Sequence, residues 1–129
     1  MTNRAPKGKS RAEVILSIVA TDNTFSMKMS LDDYGRVRDA FWTGKCIHCN
    51  TGMVVTLLGE TSATVEHITP QCAGGHLTDP RNLALACVRC NNDKGIRHDM
   101  YVGRGGRADE VITALQAKRA QRWRVQAGM

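Results

Sequence analysis

Four cysteines fall into two pairs, Cys46-x-x-Cys49 and Cys87-x-x-Cys90, with 37 residues between the pairs. A two-residue spacer lets a tight turn aim both thiolates at one ion, and a tetrahedral Zn²⁺ takes four such ligands. The second pair sits where a helix is expected to begin, and there the positive end of the helix dipole favours thiolate over thiol. A disulfide framework would leave one of the five cysteines unpaired. No thioredoxin-like βαβ pattern surrounds either pair to suggest redox chemistry. Cys72 is the spare, expected as a small buried or half-buried side chain. Between the pairs lie Glu66-His67-Ile68-Thr69-Pro70, Gly74-Gly75-His76 and Asp79-Pro80-Arg81-Asn82-Leu83, and Asn91-Asn92-Asp93-Lys94-Gly95 follows the last cysteine. A lone His after a strand is commonly structural, but a zinc site would draw this strand and the Asn91 helix together. Glu66 and Asn91 offer hard oxygen donors, which suit Mg²⁺ or Mn²⁺ rather than zinc. Histidine titrates near neutrality, so His67 beside such an ion has the makings of a general base for metal-assisted phosphodiester hydrolysis.

Read in order, the stretch from Cys46 to Gly95 is C-x-x-C, E-H-I-x-P, G-G, N-L-x-x-x-C-x-x-C-N and K-G, about 50 of 129 residues. In order and spacing it resembles the HNH nucleases of the ββα-metal (His-Me finger) group, in their zinc-containing form. The resemblance implies that His67 deprotonates the attacking water and that Asn82 braces the loop carrying it. It implies that Asn91 and Glu66 hold the catalytic divalent ion, while Cys46, Cys49, Cys87 and Cys90 hold a structural zinc. Glu66 stands where the family usually has Asp, one methylene shorter, so ligand geometry or metal preference is expected to differ without loss of activity. The implied reaction places one divalent ion, Mg²⁺ or Mn²⁺, on the scissile phosphate and the leaving 3′ oxygen, giving a 5′-phosphate and a 3′-hydroxyl. Lys94 and Arg97 beside the metal helix, and Arg104 and Arg107 in the Gly-rich basic stretch that follows, are candidate contacts to nucleic-acid phosphates. His76 reads as a loop residue first and a contact to the site second.

These residues need elements to position them. Ser10-x-x-Glu13 has the spacing of a capping box, and Val14, Ile15, Ile18 and Val19 then share one helical face, although their β-branching leaves a strand in competition. Thr21–Met29 reads as a loop. Ser30-x-x-Asp33 is a second helix-start signal, followed by Leu31, Tyr34, Val37 and Phe41 at helical spacing and closed by Gly44. Met53–Leu58 and Ala63–Ile68 read as two strands of one hairpin across Gly59-Glu60-Thr61-Ser62. Pro70–Pro80 is a loop, Arg81–Ala86 a short helical stretch, Cys87–Ile96 a helix, and 108–126 a longer helix with Ala108, Val111, Ile112, Leu115 and Trp123 on one arc. The expected fold is α+β: a small, treble-clef-like ββα-metal core around zinc, flanked by N- and C-terminal helices. Residues 1–10 read as a flexible basic arm and 11–129 as one HNH nuclease domain, with its motif core at 46–95.

At 129 residues the chain fits one domain, and its 42% hydrophobic and 23% charged residues exclude wholesale disorder. Only 5% are aromatic, so the core must rest on aliphatics, methionine and a cross-link such as a metal. The net charge of +6 is unevenly spread: residues 1–11 carry +4, residues 12–96 carry −2 and residues 97–129 carry +4. Basic ends around a slightly acidic centre suggest a polyanion held at the periphery, DNA above all. No apolar run approaches the ~20 residues needed to cross a bilayer, and no Ala-x-Ala site follows the Val14–Ala20 run. Thiolate ligands call for a reducing, intracellular (cytoplasmic) location. A metal-dependent DNA endonuclease is therefore expected. A non-catalytic zinc module binding nucleic acid or protein stands as the alternative, as does an accessory nuclease of a larger phage packaging or restriction machine. One such site cuts one strand, so a homodimer or two independent nicks would be needed to cut both.

Overall fold

A computed structural model describes residues 9–104 and 107–125. Most of the expected basic arm therefore lies outside the described residues, including Arg4 and Lys7. The first helix, α1 (Arg11–Thr21), starts where the capping box places it. Ser10 Oγ accepts from the Glu13 amide at 3.2 Å, and the Glu13 carboxylate accepts from the Ser10 amide at 3.2 Å. Its β-branched residues stay helical because Val14, Ile15, Ile18 and Val19 turn one face into the core.

The chain then departs from the expected pattern. In place of a loop and a helix, β1 (Ser26–Leu31) and β2 (Val37–Lys45) form an antiparallel hairpin. The cause is turn chemistry. The Asp32 carboxylate accepts from the amides of Tyr34 (2.8 Å) and Arg36 (2.9 Å), and Gly35 takes φ +79°. Such an Asx-type turn reverses the chain where a helix would have to continue. The residues set at helical spacing bury little, with Leu31 56%, Tyr34 82% and Val37 58% exposed.

The expected hairpin between 53 and 68 is also absent. Strand β3 (Gly52–Thr56) pairs with β2, giving a three-stranded sheet in the order β1-β2-β3. Strand β4 (Thr64–His67) pairs with β5 (Leu83–Ala86), His67 opposite Leu83. The tight turn at the first cysteine pair is what joins β2 to β3. The Cys46 amide donates to Thr51 O at 2.9 Å, and Asn50 adopts φ +63°. Residues 81–86, expected helical, are one 3-10 turn (Pro80–Asn82) followed by β5. All four β5 side chains are buried, and a short continuous apolar run does not reveal by period whether it is strand or helix.

Helix α2 (Val88–Arg97) begins on Cys87, and α3 runs from Ala108 to Gln121, short of the expected end at 126. The core joins α1, Phe25, Ile47, Val55, Ile68, β5 and Leu115. Phe25 packs so closely over Gly44 that a Cβ there would land on its ring. The small α+β core thus has a ββα-metal-like arrangement, flanked by N- and C-terminal helices. Cys72 is exposed, not buried, because it lies on the 3-10 turn Gln71–Ala73, which buries no residue.

The basic C-terminal end has a structural use that its charge does not announce. Arg119 is 1% exposed and donates to Leu83 O (2.8 Å), Thr21 O (2.9 Å), Thr21 Oγ1 (2.7 Å) and Pro80 O (3.2 Å). Burial lowers its pKa from the ordinary arginine value. Arg122 donates to Lys45 O (3.0 Å), Cys46 O (3.4 Å) and Asn50 Oδ1 (2.7 Å). Arg124 reaches Val19, Ala20 and Phe25 carbonyls at 2.8, 3.2 and 3.1 Å. These guanidinium groups satisfy buried carbonyls, so they are not free for a polyanion. The expectation that the C-terminal charge holds substrate is corrected for these three residues.

Candidate functional site

Two elements carry the cysteine cluster: the β2–β3 turn supplies Cys46 and Cys49, and the start of α2 supplies Cys87 and Cys90. Their four sulfurs lie within 4.8 Å of one another, a spacing suited to one tetrahedral zinc. The amides of His48 and Cys87 both point at Cys46 Sγ, each at 3.4 Å. The Thr51 hydroxyl, 2.9 Å from Cys49 Sγ, and the Thr51 amide lower the Cys49 pKa to about 6. Burial pushes the Cys90 thiol well above the ordinary range. Together these groups offer sulfur donors of unequal acidity, stabilised by hydrogen bonds that a thiolate favours.

The last residue of β4, His67, is half-buried, and its Nε2 lies 3.1 Å from Leu77 O. A carbonyl only accepts, so Nε2 carries a hydrogen, and in the neutral ring Nδ1 then presents a lone pair. The loop that supplies this carbonyl is tied down by Asn82. The Asn82 amide group donates to Thr69 O (3.1 Å) and His76 O (2.9 Å), and its Oδ1 accepts from the Thr69 amide (2.9 Å). Gly75 makes the fold of the loop possible, because a Cβ there would collide with the Thr69 carbonyl. His76 is exposed, and its Nδ1 accepts from the amides of Thr78 (3.2 Å) and Asp79 (3.0 Å).

The neighbouring residue on the strand points elsewhere. Glu66 is 1% exposed, and its Oε1 bonds to His48 Nε2. Its Oε2 lies 3.9 Å from Lys94 Nζ and has no hydrogen-bond partner. Lys94, expected to face a substrate phosphate, is 2% exposed. Its ammonium is spent on Asp99 Oδ1 (2.6 Å) and His67 O (3.1 Å). Asn91 donates from Nδ2 to Thr64 Oγ1 (3.0 Å) and Val65 O (3.3 Å), which fastens α2 to β4. Among the described residues no hydrogen bond joins the His67 ring to Glu66 or Asn91. Arg97 pairs with Asp93 at 2.9 Å on the surface, Arg107 lies 4.0 Å from Glu110 at the start of α3, and Arg104 is exposed in the turn before it.

Three participants escaped the sequence. His48 occupies a variable position inside the first cysteine pair, where no pattern marks it. Asp99 lies beyond the matched motif, and the Leu77 carbonyl belongs to a backbone that carries no side-chain signal. Residues 46–97 match the family model described as HNH endonuclease, and so form an HNH-like domain over less than half of the chain. No curated protein and no solved structure matches the chain. Among the described residues, no helix is long and apolar enough to cross a membrane.

Proposed function

We propose that this chain is a zinc-stapled, HNH-type hydrolase of DNA phosphodiester bonds in which His67 is the general base. The observation that carries the reading is the His67 Nε2–Leu77 O bond. It selects the tautomer of the neutral ring in which Nδ1 can accept a proton, and it strengthens when the ring is cationic. Asn82 keeps that carbonyl in place. In this reading Glu66 and Asn91 hold Mg²⁺ or Mn²⁺. Glu66 Oε2 is a buried carboxylate oxygen lacking a hydrogen bond, and Lys94 lies closer to Asp99 than to it. The Asn91 Nδ2 is fixed by two acceptors, so its Oδ1 is left for another partner. Two oxygen donors are what a hard ion that retains its other waters requires. Such an ion supplies charge neutralisation at the phosphate and the leaving oxygen. His67 takes the proton of the attacking water on Nδ1, and Arg97 and Arg104 are exposed cations offered to the phosphates of the strand. The thiolate site calls for a reducing, intracellular setting.

One observation favours a second reading, in which the same fold is a non-catalytic zinc module that binds nucleic acid or a protein, alone or within a larger assembly. The Glu66 carboxylate is sealed from solvent and already engaged by His48. Supercoiled plasmid incubated with Mg²⁺, with Mn²⁺ or with no added divalent ion separates the two. The hydrolase gives nicked circles only with a divalent ion, and His67→Ala loses roughly 10²–10⁴ in rate while retaining zinc and DNA binding. Intact plasmid under every condition, from zinc-loaded protein that binds DNA, leaves the binding module.

A further inference from the structure

The 3-10 turn Pro80–Asn82 faces two ways. Asn82 braces the loop of His67, while the next residue back, Arg81, lays its guanidinium over the Trp123 indole, 5.1 Å from the ring centroid. Arg119 approaches the same ring at 4.9 Å, but its donors are spent on backbone carbonyls and a hydroxyl. Arg81 is exposed, and its guanidinium makes no hydrogen bond or ion pair among the described residues. Its N–H fork therefore sits over the indole with no acceptor among the described residues.

Two open cavities meet at this pair. One, of about 350 Å³, adds Gln116 and Ala120 to the Arg81–Trp123 wall. The other, of about 360 Å³, adds Lys9, Ser17 and Val125. Among the described residues no carboxylate lines either one. Both volumes fall within the range of about 300–1,000 Å³ that small-ligand sites occupy. Cations, a flat aromatic and no acid select a planar anion. A guanidinium seated over an indole offers a π face for a base and an edge for a phosphate, whereas the carboxylates of an acidic peptide would use the edge alone.

We propose that Arg81, Trp123 and Lys9 form a subsite for one nucleotide of a nucleic-acid strand, its base against the Arg81–Trp123 stack and its phosphate between Arg81 and Lys9. The ligand class rests on the function proposed above. The subsite adds a register to it: a strand gripped at Arg81 is one residue away from the side chain that steadies the His67 loop.

Trp123 makes the subsite observable. The chain has two tryptophans, so a Trp42→Phe background leaves Trp123 as sole reporter. The zinc-loaded protein is titrated with octathymidylate without added divalent ion, and separately with inorganic phosphate. Octathymidylate should quench Trp123 emission, and phosphate alone should not. Arg81→Gln, on the surface, should retain zinc and circular dichroism yet weaken octathymidylate binding. The loss expected is about five- to 150-fold, the span of one stacked base. Lys9→Gln should make the slope of log affinity against log salt shallower by about 0.7, the counterion share of one single-strand phosphate. Quenching by inorganic phosphate to the same extent overturns the nucleotide subsite. So does octathymidylate binding with Trp123 silent, or unchanged affinity in Arg81→Gln, and in both cases the proposed hydrolysis stands. Quenching in a protein that never nicks plasmid keeps the subsite and removes the hydrolase.

Discussion

At the residue scale, the informative groups are those whose neighbours set their charge. Zinc competes with protons for four thiols, so its apparent affinity falls as pH falls. The Cys49 pKa is lowered to about 6, so above pH 6 this sulfur is already a thiolate and binds zinc without giving up a proton. Below it, Cys49 is protonated and must release one. A plot of log apparent zinc affinity against pH, from competition with a chromophoric chelator, should therefore steepen by about one proton as pH falls through 6. Thr51→Val removes the hydroxyl, raises the Cys49 pKa, and should move that break to higher pH. Lys94 is the other case. Its ammonium is buried between Glu66 and Asp99, so Lys94→Met strands two carboxylates beside the core. The expected loss is about 3–5 kcal/mol, as for breaking a buried ion pair. Glu66→Gln keeps the Lys94–Asp99 pair and should cost clearly less. Urea denaturation of the two zinc-loaded variants compares them directly.

At the element scale, local signals decided some pieces and tertiary pairing decided others. Ser10 and Glu13 announced α1 because a capping box is complete within four residues, and the two cysteine pairs announced the turn and helix start that hold them. The first hairpin was hidden because Leu31, Tyr34, Val37 and Phe41 mimic a helical face, while the turn at Asp32–Gly35 acts through one carboxylate and one left-handed glycine. Strand partners were hidden too. The sequence marks β3 and β4 as strands, but only the closed cysteine turn reveals that β3 returns to β2 and leaves β4 for β5. Of the candidate site, the side chains His67, Asn82 and Asn91 were legible from their motif, while His48 and the Leu77 carbonyl were not. The loop from Thr69 to His76 is where sequence and geometry meet, since its Gly74-Gly75 pair was visible and its purpose was not. Gly75→Ala drives a Cβ into the Thr69 carbonyl, so the loop must shift and carry the Leu77 carbonyl with it. Zinc content should be unchanged, while plasmid nicking falls at least tenfold, roughly the effect of displacing a catalytic group by an ångström or less.

At the scale of the whole molecule, two kinds of closure hold the chain. The four-cysteine cluster, suited to one zinc ion, joins the turn at Cys46 to the helix start at Cys87, across about forty residues. Arg119 and Arg124 join the last helix and the segment after it to the end of α1, across 98 residues for Arg119 to Thr21 and 105 for Arg124 to Val19. The two are expected to act at different moments in the life of the protein. Closing a longer loop costs more chain entropy, and contacts of long sequence separation slow the search for the native state. The zinc centre can therefore organise its local piece early, while the arginine clamps close after most of the core is formed. A contact made after the transition state governs how fast the protein comes apart rather than how fast it assembles. Arg124→Ala should accordingly accelerate unfolding in concentrated denaturant and leave the refolding limb of the chevron unmoved. Withholding zinc should slow the refolding limb. The tail clamp would then behave as a latch: it sets how long a folded copy lasts, and an otherwise intact protein lacking it would fold at its normal speed and die young.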